Sequence, residues 1–140
     1  SIVETCAERA AQIGVKKCGL LGTRFTMSGS FYQEVFAQRD IEVIPPHPEE
    51  IEFIHRKLFS ELEIGIFKED TKSGILKIVD TMKTRNGIDS VILGCTEFPI
   101  MFTEGQYLGL PFLNTTRIHV DEIIRACLGQ KESPTDPPGA

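Results

Sequence analysis

The chain has 140 residues, 41% of them hydrophobic, and 15 Lys+Arg against 20 Asp+Glu leave a formal charge of −5. That balance predicts one soluble globular domain and provides no basic field to gather nucleic acid or anionic lipid. No apolar run approaches the roughly 18 residues of a membrane span, and the opening Ser1-Ile2-Val3-Glu4 lacks the basic stretch of a secretory signal, so a cytoplasmic location is expected. Four cysteines, at 6, 18, 95 and 127, form no CxxC pair and stand at no short spacing from His47, His55 or His119. They predict neither a metal site nor a disulfide framework, only free thiols.

Val3, Cys6, Ala10 and Ile13 fall at helical spacing, and Gly14 stops that helix. Lys17-Cys18-Gly19-Leu20-Leu21 reads as a short buried strand. Residues 22–29 read as a loop leading to a helix in which Tyr32, Val35 and Phe36 share a face. Ile41-Glu42-Val43-Ile44 is the next strand, ended by Pro45-Pro46. Pro48, Glu49 and Glu50 suit the first turn of a helix with Ile51, Ile54, Leu58 and Leu62 inward.

A second helix follows, capped by Asp70 or Thr71, lined by Ile75, Ile78, Val79 and Met82, and ended by Asn86-Gly87. Ser90-Val91-Ile92-Leu93 is a buried strand that runs into Gly94-Cys95-Thr96-Glu97, with a short helix near Pro99. A strand at Pro111-Phe112-Leu113 leads through Asn114-Thr115-Thr116 into a last helix with Val120, Ile123, Ile124 and Cys127 inward. This alternation predicts one α/β domain over 1–128, with four mostly parallel strands and helices on both faces of the sheet. The first strand should lie between the second and third. The proline-rich stretch 129–140 has too little apolar surface to order itself.

In a parallel sheet, ligands bind beyond the carboxyl ends of the strands. The loops at 22–28, 94–97 and 114–116 all fall there and should converge. Cys95 is the leading candidate for chemistry, since it follows an apolar strand between a glycine and two polar residues, and a helix beginning near Pro99 would lower its thiol pKa while Glu97 opposes. Cys6, Cys18 and Cys127 read as small buried hydrophobes. Thr23 and Thr26 offer hydroxyls and backbone N–H groups to a carboxylate or phosphate, or serve as plain helix caps. Lys68 could pair with a substrate carboxylate or be solvated surface; Thr115 and Thr116 have a capping role open to them. His119 reads as a hydrogen-bonded packing residue, and His47 and His55 as surface.

Taken together, residues 19–27, Phe31-Tyr32, residues 65–69, the string Val91-Ile92-Leu93-Gly94-Cys95-Thr96-Glu97-Phe98-Pro99 and Thr115-Thr116-Arg117-Ile118-His119 resemble the aspartate/glutamate racemase family. The resemblance implies a cofactor-independent enzyme of two similar α/β halves that face each other, each supplying one cysteine. Inverting an α-carbon requires removal of a proton from one face and delivery to the other, which one fixed base cannot do and two thiols can. By resemblance Cys95 is the second of these thiols. Thr23, Thr26, Lys68, Thr96 and Thr115 would bind substrate, with Glu97 and Asn114 in support.

Two departures stand out. The half with the other cysteine is not in this chain, and Asn114 stands where the family commonly has Asp. The reading is therefore the C-terminal half of an amino-acid racemase for aspartate or glutamate, inactive alone and completed by a missing N-terminal half or by homo-oligomerisation. A non-catalytic ligand-binding or regulatory module is the alternative.

Overall fold

The computed structural model describes residues 1–132. It opens on helix α1 (Ile2–Ile13), capped by Ser1 and closed by Gly14, whose φ of 82° is the left-handed conformation that glycine adopts without strain. Strand β1 (Lys17–Leu21) follows, then two short helices, α2 (Arg24–Ser28) and α3 (Phe31–Ala37), and strand β2 (Glu42–Ile44). Helix α4 (Pro48–Ser60) ends in a 3-10 turn at Leu62–Ile64, which leads to the long helix α5 (Glu69–Asn86). Strand β3 (Ser90–Leu93), helix α6 (Phe98–Met101), strands β4 (Gln106–Tyr107) and β5 (Leu110–Asn114) and helix α7 (Thr115–Glu132) complete the described chain.

The sheet order is β2-β1-β3-β5-β4. Strand β1 is parallel to β2 and to β3, and β3 is parallel to β5, with Gly19 opposite Val91 and Leu93 opposite Asn114. The first strand thus lies between the second and third, as expected. A fifth strand was not expected: β4 is a two-residue antiparallel hairpin arm on β5, too short to leave a pattern in sequence.

Both faces of the sheet are covered, and the pleat divides the apolar strand residues between them. Leu20, Val43, Ile92 and Leu113 pack with Ala7, Ala10, Phe36 and Ile118 from α1, α3 and α7. Leu21, Val91, Leu93 and Phe112 pack on the other face with Ile54, Leu58, Ile75, Val79, Met82 and Phe98 from α4, α5 and α6. Burial on two sides explains the unbroken apolar runs of β1 and β3.

Four local expectations are corrected. Residues 24–28 are helical, because Thr23 caps them with its hydroxyl. Helix α5 starts at Glu69 with Lys68 at its cap position; Thr71 is buried and donates its hydroxyl to Glu61 instead of capping. Helix α7 runs on to Glu132, past the expected end at 128, and 133–140 lies outside the described residues. The face of α7 expected to be inward is exposed: Val120 is 46%, Ile123 49% and Ile124 52% accessible, Cys127 is exposed with them, and the adjoining Leu128 is 50% accessible. Only the first turns of α7 reach the sheet, through Thr115 and Ile118.

Candidate active site

The carboxyl ends of β1, β3 and β5 are tied to one another by successive bonds. The N–H of Gly94 donates to the Leu21 carbonyl at 2.7 Å, and the Thr115 hydroxyl donates to the Leu93 carbonyl at 3.0 Å. Gly94 is required by close approach, since a Cβ there would lie 2.8 Å from the Leu21 oxygen and 3.5 Å from Thr26 Cγ2. The 22–28 and 94–97 loops therefore meet, as expected from their places at strand ends.

Cys95 is half-buried just beyond Gly94 and packs against the α4–α5 side of the core. Burial pushes its thiol up to about 12 from an ordinary 9.0. The backbone N–H groups of Phe98 and Glu97 pull the other way, and the Glu97 carboxylate adds to the rise. The lowering expected from the nearby helix start is present but smaller than the cost of desolvating a thiolate. Cys95 accordingly rests as a neutral thiol, with Glu97 helping to keep it so.

Thr23 and Thr26 are half-buried, and both readings of them have a basis. The Thr23 hydroxyl caps α2 by accepting from the Thr26 N–H at 3.2 Å, while the two hydroxyls stand 3.3 Å apart. Thr26 lines a shallow cavity of about 390 Å³ with Phe25, Ser30, Phe31 and Tyr32. Thr96 lines a second, of about 380 Å³, with Asn114, Thr116, Arg117 and Asp121. Cys95 lines neither cavity; its chain neighbour Thr96 lines the second, and Tyr32 of the first is near enough to feel its charge. Tyr32 borders the first cavity; sequence reasoning placed it on an apolar helix face and among the segments of the resemblance, without a role of its own, and burial, followed by the neighbouring Cys6 and Cys95, pushes its phenol up to about 12. A tyrosine on a helix face that phenylalanine would fill was the available signal.

The remaining candidates divide. Asn114 caps α7, its Oδ1 accepting from the Arg117 N–H at 3.0 Å. Thr115 is buried with its proton committed to Leu93, so it latches the loop, while its neighbour Thr116 is the one that faces the second cavity. Lys68 is exposed at the start of α5 and lines neither cavity; its charge is felt by Glu61, whose carboxyl is held low first by the Thr71 hydroxyl and then by Lys57. Cys6 and Cys18 are buried as expected, with burial pushing their thiols up to about 12 and about 11. Cys127 is not buried, because nothing in the described chain covers that part of α7.

The histidines also differ in part. His47 is exposed, as expected. His119 leaves a buried Nδ1 without a hydrogen-bond partner among the described residues, where a bonded packing residue was expected. His55 is half-buried rather than a surface residue, because its ring is held between α2 and Phe59.

A strand-end thiol, a phenol and three loops bearing hydroxyls and a helix cap thus lie at the carboxyl edge of a parallel α/β sheet. The sequence profile of the Asp/Glu/Hydantoin racemase family matches residues 1–123, and the chain belongs to that family. It is similar to the crystal structure of an aspartate racemase homologue from Pyrococcus horikoshii OT3, at a TM-score of 0.81 and 33% identity, covering 91% of this chain and 55% of that one. It is 31% identical over 87 residues to a glutamate racemase of Mycobacterium ulcerans (strain Agy99), across 61% of this chain and 29% of that protein. A likeness of fold alone extends to the Picrophilus torridus aspartate racemase, at a TM-score of 0.64 and 21% identity. The chain thus spans about half the length of the solved relatives and under a third of the glutamate racemase.

Proposed function

We propose that this chain is the C-terminal half of a cofactor-independent, cytoplasmic racemase of aspartate or glutamate, and that Cys95 is one of its two acid/base thiols. The observation that supports this most is the setting of Cys95: a strand-end loop beside Tyr32 and Thr96, with burial holding the sulfur protonated near 12. A resting thiol of that kind is a proton donor. On this reading a thiolate on the complementing half removes the α-proton from one face of the amino acid, and the electron pair is held by the adjacent carboxylate. The Cys95 S–H then gives its proton to the opposite face and becomes the thiolate, while the other sulfur keeps the proton it took. The reverse turnover restores both.

Thr23, Thr26 and Thr96 hold the substrate carboxylates, and Lys68 joins them across the closed cleft. The exposed stripe of Val120, Ile123, Ile124 and Leu128 on α7 is covered by the complementing half, since apolar faces of this kind on a chain matching half of its relatives are interface rather than solvent surface.

The test is racemisation of L-aspartate and L-glutamate followed by circular dichroism, with this chain alone and with a polypeptide corresponding to the unmatched half of the relatives. The expected result is no turnover alone, turnover after complementation, and its abolition by Cys95→Ser, because a hydroxyl is a far weaker acid than a thiol and neither gives up its proton as readily nor forms the anion that would take one near neutral pH. Robust turnover by the lone chain would overturn the two-half account. No turnover after complementation, with L-aspartate still bound, would establish a regulatory module instead.

A further inference from the structure

The first turn of α2 is held from outside by α4. A helix leaves its first N–H groups without intrahelical partners; here the Thr23 hydroxyl takes the N–H of Thr26, and His55 Nδ1 takes the N–H of Arg24 at 2.9 Å. Glu52, three residues before His55 on the same helix, grips the Arg24 guanidinium through two bonds of 2.8 and 2.7 Å. The ring of His55 is fixed in turn by Phe59, their centroids 4.5 Å apart at 49°. Residue 24 is thereby clamped at main chain and side chain together, and the hydroxyls of Thr23 and Thr26 lie on either side of it. An imidazole that accepts at Nδ1 is neutral and carries its proton on Nε2.

We infer that His55 is a positioning residue of the candidate site: its neutral imidazole sets the first turn of α2 and, through that turn, the placement of the Thr23 and Thr26 hydroxyls. The effect on substrate rests on the proposed function, in which those hydroxyls bind carboxylate; the hold on α2 does not. His55 touches no reacting atom. Glu52 is the cruder half of the clamp, since an exposed arginine–carboxylate pair orients a side chain and contributes little to stability, whereas the bond to His55 fixes the backbone.

The test uses the ¹⁵N-labelled chain with His55→Ala, with His55→Phe, which keeps an aromatic ring against Phe59 but has no acceptor, and with His55→Asn, whose amide oxygen occupies the place of Nδ1. Both His55→Ala and His55→Phe should speed amide exchange at Arg24 about tenfold, as expected for one lost hydrogen bond, while β1 and β3 amides are unmoved. His55→Asn should return the rate to within about threefold of the parent. In the complemented enzyme, the same variants should raise KM for L-aspartate with little change in kcat. Unchanged Arg24 exchange in both Ala and Phe variants, or an Asn variant no better than Phe, overturns the proposal. Exchange that responds in a complemented protein without racemase activity leaves His55 in its role and removes the proposed function alone.

Discussion

Thiol labelling separates the state of Cys95 from its reputation as a reactive residue. With the sulfur pushed up to about 12 from 9.0 by burial, the thiolate fraction at pH 8 is about 10⁻⁴, against ~0.1 for an ordinary cysteine, and alkylation by iodoacetamide follows that fraction. Cys95 should therefore react about a thousandfold more slowly than the same residue in the urea-unfolded chain. Cys127, exposed on α7, should be modified first in the folded protein, a reversal of the order expected from sequence. The rate at Cys95 should climb about tenfold per pH unit through the alkaline range. Timed quenching and peptide mass spectrometry give both rates in one experiment. Labelling of Cys95 ahead of Cys127 at pH 8 would mean that the Phe98 and Glu97 N–H groups outweigh desolvation, and the proton-donor reading of the resting thiol would fail.

Thr115→Val removes a buried hydrogen bond to the Leu93 carbonyl, so urea unfolding should show a loss of about 0.5 to 1.5 kcal/mol; a loss below the error of the fit refutes the latch. Ile123→Glu should leave the stability of the isolated chain within about 0.5 kcal/mol, because the side chain is already half exposed, yet weaken association with the complementing half at least tenfold by titration calorimetry. Cys6 and Cys18 titrate above their unfolded value of 9.0, so the folded state keeps protons that the unfolded chain has released. Their contribution is fully present below pH 9 and is lost as pH rises toward 11 and 12, by up to about 1.4 kcal/mol per thiol per pH unit. Urea midpoints at pH 8, 9.5 and 10.5 should fall accordingly, and Cys6→Ala/Cys18→Ala should flatten the slope.

Strands β1 and β3 were legible as apolar runs closed by Gly22 and Gly94, and β2 as an apolar stretch closed by Pro45-Pro46; the crossover rule then placed β1 between β2 and β3. Local chemistry also marked the caps at Gly14 and Gly87 and the place of Cys95 just past a strand end. What escaped was non-local. The link from His55 to Arg24 joins residues 31 apart, and no periodicity in α4 distinguishes a half-buried acceptor from a solvated ring. Glu61 drew no notice in the sequence, although the fold buries it against Thr71 and Lys57, the first of them ten residues away. The apolar stripe of α7 was visible as a stripe, but periodicity states only that a face wants covering, and not that the described residues leave it open. Helix α2 hid because five residues are too few for a period, while its cap, Thr23, was read correctly as one of two options.

The crowding around residue 94 bears on how such a site can be rebuilt. With the Leu21 oxygen 2.8 Å from where a Cβ would be, every side chain is refused there, whatever stands next to it. The path of the loop is thus decided by a residue with no side chain, and Cys95, the proposed acid/base, sits beside it. A library at position 95 explores new acids, bases and nucleophiles on an unchanged frame. A library at position 94 returns glycine.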